Sequence, residues 1–446
     1  MNDLKFAFRQ LSANSSGLGR SFASEGRRFD VHVRSRPFLV VITLALVSVA
    51  VAQSDQVSPS TRRVDTVNYV LGTQTIGVKY KFTEQTTLVE TAQRIQQMGS
   101  TILKFSMTRR YMEKDIYSLP RNDSVRSLVD LASKEPSVKA VLDMPFGWYH
   151  IWVYPFAHDD NAWVDGLSEK ERKEEYEEIH ALAKYLLQVY SGTGKTFLLG
   201  HWEGDWYLSY NPNEEPTPTK IQGMIAWLNV RQKAIDDAKR DTKHSDVSLY
   251  HYTEVNLVQK GMKGGKCLVN DVLPHTAVDY VSYSSYDTIN PHMGNVSKPL
   301  HDALDYIESK LPPKAGIQGK RVFIGEYGFP LERTKTPQKQ DLYARDVCRA
   351  ALKWGCPFAL YWEMYCNENP KGKHRGFWLI DDKDRKQPFY YTLSNYYENM
   401  KRIVAEFKKE HGQLPTDNEL RKKAVEILKQ EGSEQSAEGD AANRAP

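Results

Sequence analysis

The chain has 446 residues, of which 40% are apolar and 26% are charged, a composition typical of globular proteins and not of disordered, collagen-like or multi-span membrane chains. The formal net charge of +4 comes from residues 1–52, which hold seven Lys and Arg against three Asp and Glu, while the rest of the chain holds 53 of each sign. A neutral body argues against a protein that binds nucleic acid by neutralising phosphates.

Residues 37–52 form an apolar run that follows three arginines and ends in the sequence AVA. A basic flank, a short apolar run and a small-x-small end are typical of a secretory signal peptide, here one cleaved after Ala52. The run has 16 residues, fewer than the roughly 20 that span a bilayer. We expect residues 1–52 to be a signal peptide, residues 53–70 to be a linker, and the body to be exported to the periplasm, the cell surface or the medium. An uncleaved N-terminal anchor is the alternative, and only then would a membrane be a partner.

Eight short runs, most of them apolar nearly throughout, alternate with amphipathic segments across the body of the chain. Such alternation predicts an α/β protein with a (β/α)8 TIM barrel over residues 71–410, and an open doubly wound sheet is the alternative. Ser168 and Glu171 have the spacing of a capping box at the start of one helix. The expected strands are 75–80, 101–106, 138–143, 196–201, 247–252, 278–283, 321–326 and 357–362, and the expected helices lie near 84–98, 122–134, 168–190, 219–241, 298–310, 337–354 and 390–409.

The composition changes beyond residue 410, where charged residues dominate. Thr416 and Glu419 have the spacing of a second capping box, which predicts a helix that ends near residue 430. The last residues have too few apolar side chains to form a core. We therefore expect residues 411–446 to form a charged helix followed by a disordered tail.

The sequence gives no pattern for a metal, cofactor or nucleotide site. Its four cysteines contain no Cys-x-x-Cys pair, and no two histidines have the helical zinc spacing, so we expect no cofactor and no metal. The segment SGTGKT at 191–196 resembles part of a phosphate loop. It follows a helix and leads into a strand, however, whereas a phosphate loop must open a helix. The cysteines can be buried free thiols or form a disulfide, and their spacing does not decide between the two.

Two glutamates lie at the ends of predicted strands, where barrels carry their reactive groups. Glu203 follows the fourth strand in GHWEGDW, and Glu326 ends the seventh in FIGEYGF, between Gly325 and Gly328. The strands of a barrel end at one mouth, so the two carboxylates can approach each other there, and the glycines indicate close packing around Glu326. A carboxylate pair about 5–5.5 Å apart performs retaining glycoside hydrolysis, one as nucleophile and the other as acid and base.

Aromatic side chains near predicted strand ends suit a carbohydrate, whose C–H faces stack on rings. Trp362 ends the last strand, and several further tryptophans lie on predicted loops. Two tyrosines lie near the end of the sixth strand, and alternation alone does not decide which of them faces inward. The candidate substrate-binding residues are His201, Trp202, Trp206, Tyr283, Tyr286, Trp362 and Trp148.

The order of these features resembles clan A of the retaining glycoside hydrolases, over roughly residues 70–405. The residues that carry the resemblance are Glu203, Glu326 in G-E-Y-G, a tyrosine of VSYSSYDT, and Trp362 in Y-W-E. The resemblance implies a (β/α)8 barrel in which Glu203 is the acid/base and Glu326 the nucleophile. It also implies a strand-six tyrosine near the nucleophile and Trp362 in a sugar subsite.

The chain departs from the clan at two places. The clan usually has Asn before the acid/base, where the amide binds the sugar 2-hydroxyl; this chain has Trp202, and His201 is a substitute donor. The arginine common on strand two is replaced by Lys104. Asp205 and Glu363 are further carboxylates near strand ends that could carry the chemistry instead.

The leading hypothesis is an exported retaining glycoside hydrolase that cleaves a poly- or oligosaccharide by double displacement. The alternatives are a non-catalytic carbohydrate-binding barrel, which the missing Asn favours, and a barrel hydrolase of another bond. Asp143, at the predicted end of strand three, is either structural or substrate-binding. Neither a nucleic acid nor a nucleotide is an expected partner.

Overall fold

A computed structural model describes residues 63–442. The expected signal peptide and most of the expected linker lie outside these residues, as do the last four residues of the chain. Within the described part, eight parallel strands close a barrel in chain order, with the first strand paired to the last. The strands are β1 (Leu71–Gln74), β2 (Ile102–Met107), β3 (Trp148–Val153), β4 (Thr196–Gly200), β5 (Ser248–Val255), β6 (Tyr280–Ser284), β7 (Val322–Tyr327) and β8 (Ala359–Tyr361).

Helices follow each strand, so the fold is a TIM barrel, as predicted. The α-helices are α1 (Thr87–Met98), α2 (Leu128–Lys134), α3 (Pro136–Asp143), α4 (Glu169–Val189), α5 (Gly204–Leu208), α6 (Pro218–Asp241), α7 (Val258–Met262), α8 (Tyr286–Ile289), α9 (Ser297–Ser309), α10 (Leu331–Thr334), α11 (Pro337–Trp354), α12 (Pro388–His411) and α13 (Asp417–Ala442). Short 3-10 turns cover Ala162–Asp165, Leu273–His275 and Pro370–Gly372, and a π-helical turn covers Leu268–Val272.

The strands bury both of their faces, which explains why their sequences are apolar nearly throughout. Ile102 and Phe323 belong to a cluster that fills the interior of the barrel. Their neighbours Leu103 and Ile324 belong to the larger cluster between the strands and the helices. Successive residues of a strand therefore serve two cores, and the interior of the barrel is a packed core and not a channel.

Two predicted strands are wrong. Residues 138–143 form most of α3, because Glu135 caps the helix, Pro136 occupies its first turn, and the apolar residues have helical spacing. The third strand is instead 148–153, an aromatic and β-branched run. The first strand ends before residue 75, and Gly77 has a φ of 68°, which breaks the extended conformation of the run predicted at 75–80.

Both predicted capping boxes are confirmed. The Ser168 hydroxyl accepts a hydrogen bond from the Glu171 backbone N–H, and the Glu171 carboxylate accepts one from the Ser168 backbone N–H. Thr416 and Glu419 make the same pair of contacts before α13. That helix continues to residue 442, past the end predicted near residue 430. Within the described residues, none of the helices has both the length and the apolar character required to cross a bilayer.

All four cysteines of the chain are buried free thiols. Burial raises the pKa of the Cys267, Cys348, Cys356 and Cys366 thiols to about 12. The thiolate is the reactive form of cysteine, so these side chains serve the packing of the barrel.

Candidate active site

Glu203 and Glu326 lie together at the carboxyl-terminal end of the barrel, which is called the mouth below. Glu203 comes three residues after β4, at the residue that precedes the short helix α5, and Glu326 lies within β7. Each residue is only 3% exposed to solvent. The two carboxyl groups are therefore almost enclosed by protein, at the place where barrels carry their reactive groups.

A bulge in β7 directs Glu326 into the barrel. Opposite β6, Tyr283 pairs with Ile324 but Ser284 pairs with Glu326, so Gly325 is an extra residue in the seventh strand. Without that extra residue the alternation of the strand would turn Glu326 toward the helices. A side chain at Gly325 would place its Cβ 1.6 Å from the Ser282 hydroxyl, so only glycine fits there.

One hydroxyl links the two carboxyl groups. The Oγ atom of Ser284, on β6, is within hydrogen-bonding distance of Glu203 Oε1 and lies 3.4 Å from Glu326 Oε2. Two successive hydrogen bonds of about 3 Å each place the bonded oxygens at most about 6 Å apart. This limit is compatible with the close spacing of the retaining arrangement.

Lys104 is the cation of the site. Its Nζ atom donates to Glu254 Oε2 at 3.0 Å, to the Gly325 carbonyl at 3.1 Å and to Glu326 Oε1 at 3.4 Å. It also lies 4.3 Å from the centre of the Trp152 ring. Three ammonium hydrogens meet three acceptors, so this buried cation is fully paired on the Glu326 side of the site.

Glu254, on β5, supports both halves of the site. One of its oxygens accepts from Lys104 and, at 2.6 Å, from the Ser282 hydroxyl, while the other accepts from the Glu203 backbone N–H at 3.1 Å. Glu254 is fully buried. It therefore fixes the backbone from which the Glu203 side chain extends.

The two carboxyl groups have different electrostatic surroundings. Burial raises the pKa of Glu203 to about 8, and the Glu254 carboxylate adds to that rise. Burial also raises the pKa of Glu326, and the Lys104 ammonium is the main influence that opposes this rise. The Lys104 ammonium contacts Glu326 Oε1 directly and makes no such contact with Glu203, so the geometry favours the negative charge on Glu326 and the proton on Glu203.

Four predicted binding residues lie around the carboxyl groups. The Trp206 indole donates to Glu203 Oε2 at 2.6 Å. Trp202 donates its backbone N–H to the Tyr154 hydroxyl, and its ring packs on Tyr207. Trp362 belongs to the cluster that fills the interior of the barrel, and Tyr286 packs against that cluster.

The Tyr286 hydroxyl faces the carboxyl groups. Burial and the nearby carboxylates, first among them Glu326, raise the pKa of Tyr286 far above its usual range. Within the described residues, its buried oxygen has no hydrogen-bond partner, and neither has the buried indole nitrogen of Trp152. These two groups are able to donate to a molecule bound at the mouth.

Three predicted binding residues lie elsewhere. Tyr283 points away from the barrel interior, where its hydroxyl meets Asp287 and Thr288, because β6 directs Ser282 and Ser284 inward instead. The strand alternation therefore favours Tyr286 over Tyr283. Trp148 begins β3, so it lies at the opposite end of the barrel and packs on Phe358, not on a loop of the mouth.

His201 is the third of these residues. It is fully buried, with Nδ1 donating to the Trp202 carbonyl at 2.8 Å and Nε2 placed 2.7 Å from the Thr253 hydroxyl. Burial and the charge of Arg231 lower the pKa of His201 to about 3. Both ring nitrogens are occupied by protein, so His201 does not replace the missing Asn as a sugar donor.

The other candidate carboxylates are structural. Asp205 accepts from three backbone N–H groups, of Asn256, Leu257 and Leu268. Glu363 is fully buried and accepts from the backbone N–H groups of Ile76 and Asn367.

Asp143 belongs to α3 and not to a strand. Its partners are Lys139 on the same helix and the Tyr190 hydroxyl. No group of three or more His, Cys, Asp or Glu residues within 63–442 is arranged to hold a metal ion.

Ser284 and Glu254 are site residues that the sequence did not reveal. Trp152 is one of the tryptophans expected on loops, but it lies within β3. Ser284 lies in the segment VSYSSYDT, of which only the tyrosines were predicted to be site residues. Glu254 lies beyond the predicted end of strand five at residue 252, whereas β5 continues to Val255. An inward alternation extended by two residues would have found it.

No protein-family model matches the chain, and no curated protein matches it by sequence. Solved structures do match its fold. Exo-beta-1,4-mannosidase Op5Man5 from Opitutaceae bacterium strain TAV5 is 11% identical with a TM-score of 0.51, and the match covers 78% of this chain and 62% of that one. GH5_18 from Bifidobacterium longum subsp. longum is 15% identical with a TM-score of 0.50, over 78% and 81% of the two chains. A family 39 glycoside hydrolase from Bacteroides cellulosilyticus WH2 is 12% identical with a TM-score of 0.47, over 76% and 64%.

These structural neighbours are glycoside hydrolases, and an eight-stranded parallel barrel is consistent with the clan that the sequence resembles. The chain spans 62% of the length of the mannosidase and 64% of the family 39 protein. At these identities the likeness shows the fold. The activity must be argued from the residues of this site.

Proposed function

We propose that this protein is a retaining glycoside hydrolase, with Glu326 as the nucleophile and Glu203 as the acid and base. The observation that carries the proposal is the Ser284 hydroxyl, which reaches both carboxyl groups at the mouth of the barrel. Two carboxyl groups this close, one of them beside a cation, match the requirements of double displacement.

The surroundings of the two carboxyl groups support this division of roles. Lys104 holds Glu326 Oε1, which favours the ionised form that attacks the anomeric carbon. Glu203 has no cation partner among the described residues, and its pKa, raised by burial to about 8, keeps it protonated at neutral pH. It can therefore protonate the leaving oxygen and then take a proton from the attacking water.

Carbohydrate binding is supported by the aromatic rings at the mouth. The Trp206 indole contacts Glu203, and Trp202 and Trp362 pack in or against the aromatic-rich cluster of the barrel interior. The Trp152 indole and the Tyr286 hydroxyl are unpartnered donors within the described residues, and we assign to them the sugar contact that Asn makes in the clan. The substrate class is a poly- or oligosaccharide.

The nucleophile is tested by replacing Glu326 with alanine. A reactive aryl glycoside should be turned over by the wild type and not by Glu326→Ala, and added azide should restore cleavage with an azide product of inverted configuration. Glu406, an exposed glutamate on α12, provides the matched control, and Glu406→Ala should retain full activity. Full activity in Glu326→Ala would remove the assignment.

The role of Glu203 as the acid is tested by comparing the activity of a Glu203 variant on substrates with different leaving groups. Glu203→Ala should lose about 10²–10⁴-fold on substrates with a poor leaving group. It should lose far less in the first step on a dinitrophenyl glycoside, because that group departs without a proton. Equal losses on both substrates would contradict the role of Glu203. Glycan binding without turnover of any glycoside would favour the non-catalytic barrel.

We also propose that the protein is exported. The proposal rests on the basic flank, apolar run and AVA sequence of residues 1–52. Expression of the full chain followed by fractionation and N-terminal mass spectrometry should give a mature protein that begins at Gln53 outside the cytoplasm. A full-length protein in the cytoplasm would contradict export, and a full-length protein in the membrane would favour the anchor.

A further inference from the structure

Ser284 occupies an unusual position between the two carboxyl groups. Within residues 63–442, only its hydroxyl hydrogen-bonds to both Glu203 and Glu326. The residue is 1% exposed, and β6 directs its side chain into the interior of the barrel. A hydroxyl has a single hydrogen, so it cannot donate to both carboxyl groups at once.

The donors along this line of contacts determine how many protons the pair holds. The Trp206 indole and the Lys104 ammonium can only donate, so Glu203 Oε2 and Glu326 Oε1 are acceptors. The remaining oxygens, Glu203 Oε1 and Glu326 Oε2, both face the Ser284 hydroxyl. When both carboxyl groups are ionised, the single hydroxyl hydrogen leaves one of these contacts without a hydrogen bond. One neutral and one ionised carboxyl group make both contacts hydrogen bonds, because the neutral group donates to Oγ and the hydroxyl donates to the ionised group. The cation beside Glu326 makes Glu203 the neutral one.

We propose that Ser284 is a positioning residue that makes the two carboxyl groups share one proton. In the free enzyme its hydroxyl accepts from Glu203 and donates to Glu326. When Glu326 carries the sugar, the hydroxyl turns and donates to Glu203. This proposal rests on the proposed function, whose two steps it couples.

The catalytic cycle balances without a proton leaving Ser284. In the first step Glu203 gives its proton to the glycosidic oxygen, the bond from that oxygen to the anomeric carbon breaks, and Glu326 forms an ester with the carbon. The negative charge has moved to Glu203, and rotation about the Cβ–Oγ bond brings the hydroxyl hydrogen to it. In the second step a water molecule gives a proton to Glu203, and the oxygen of that water bonds to the anomeric carbon as the ester bond to Glu326 breaks. The Ser284 hydroxyl then turns back and donates to Glu326.

Other charged and titratable groups face Glu203 and Glu326 from several elements. Each of them either interacts more strongly with one of the two carboxyl groups or acts on both without bridging them. Of the two carboxyl groups of the pair, the ammonium on β2 contacts only Glu326. The carboxylate on β5 contacts the Glu203 backbone. The groups are Lys104, Tyr252 and Glu254, Tyr286 and Glu363, with Glu368 near Tyr286. Among the described residues the Tyr252 and Tyr286 hydroxyls have no hydrogen-bond partner, so neither of them links the two carboxyl groups.

The test is the pH dependence of kcat/KM for Ser284→Ala, with Ser284→Thr as the variant that restores a hydroxyl. In Ser284→Ala the acidic limb, set by Glu326, should move up and the basic limb, set by Glu203, should move down. The pH range between the two limbs of the bell-shaped kcat/KM profile should therefore narrow by about one pH unit or more. Ser284→Thr should recover most of the width.

A merely structural role would lower the rate and leave both limbs in place, which would overturn the proposal. A basic limb that moves up would also overturn it, because it would mean that Ser284 donates to Glu203 in the free enzyme. Ser282→Ala is the matched control: it removes an inward hydroxyl from the same strand that contacts Glu254 alone. Any shift in that variant should move both limbs in the same direction.

A second measurement separates failure of this proposal from failure of the proposed function. Protein labelled with ¹³C at the glutamate carboxyl carbons can be titrated by NMR without a substrate. The wild type should show two widely separated ionisations for Glu203 and Glu326, and Ser284→Ala should bring them closer. Unchanged ionisations would overturn the role of Ser284 even in an active enzyme, whereas an inactive wild type with the expected titration would contradict only the hydrolase.

Discussion

Replacing Lys104 with methionine tests the electrostatic core of the site. Methionine keeps most of the side-chain volume but removes a cation whose three hydrogens meet Glu254, Glu326 and the Gly325 carbonyl. Lys104 and Glu254 are fully buried, so their charges have no access to water. Breaking a buried ion pair by removing one partner costs about 3–5 kcal/mol, because the remaining charge is left unpaired. We expect Lys104→Met to lose that much free energy of unfolding at pH 7.

Urea denaturation followed by tryptophan fluorescence measures the loss. The double variant Lys104→Met, Glu254→Gln should be more stable than Lys104→Met alone, since it removes one stranded charge. Lys298→Met, which breaks an ion pair whose lysine is 84% exposed, should cost less than about 1 kcal/mol. A Lys104→Met protein whose free energy of unfolding is within about 1 kcal/mol of the wild-type value would refute the reasoning. A double variant whose loss equals the sum of the losses in the two single variants would refute it as well.

Three further predictions follow from burial and contacts. Burial raises the pKa of Glu203 from 4.5 to about 8, so its ionisation penalises the folded state as the pH rises through that window; Glu203→Gln should therefore gain stability over the wild type at pH 8 relative to pH 5, on the order of a few kcal/mol in chemical denaturation. Tyr286→Phe should lower kcat/KM without changing Tm, whereas Tyr283→Phe, which breaks contacts outside the barrel interior, should lower Tm and leave kcat/KM near the wild-type value. A thiol reagent should label none of the four cysteines in the native protein and all four in denaturant without a reductant; fewer than four would reveal a disulfide.

The barrel could be predicted because its periodic pattern is strong over most of the chain. The strand predicted at 138–143 failed because an apolar run of six residues fits a buried strand and a helix face equally well. The cap at Glu135 and the proline at position 136 were the signals that favoured a helix. The strand predicted at 75–80 is wrong because the buried apolar residues of this run belong to the loop after β1.

The meeting of Glu203 and Glu326 could be predicted from the order of the strands, since parallel strands end at one mouth. Their link through Ser284 could not, because it depends on which residues of β6 face inward and on the bulge at Gly325. A shift of one residue reverses every side chain of a strand, and β6 is buried on both faces, so its residue pattern alone does not show which face is inward. For the same reason the choice between Tyr283 and Tyr286 needed the structure.

The central claim is that Glu326 forms a bond to the sugar. An activated fluorinated glycoside that reacts quickly in the first step and slowly in the second should trap this intermediate, and peptide mass spectrometry locates the added mass. We predict one sugar per chain on the peptide that carries Glu326, and none in Glu326→Gln. A label on any other residue, or turnover of the probe with no covalent adduct, would contradict double displacement at this site.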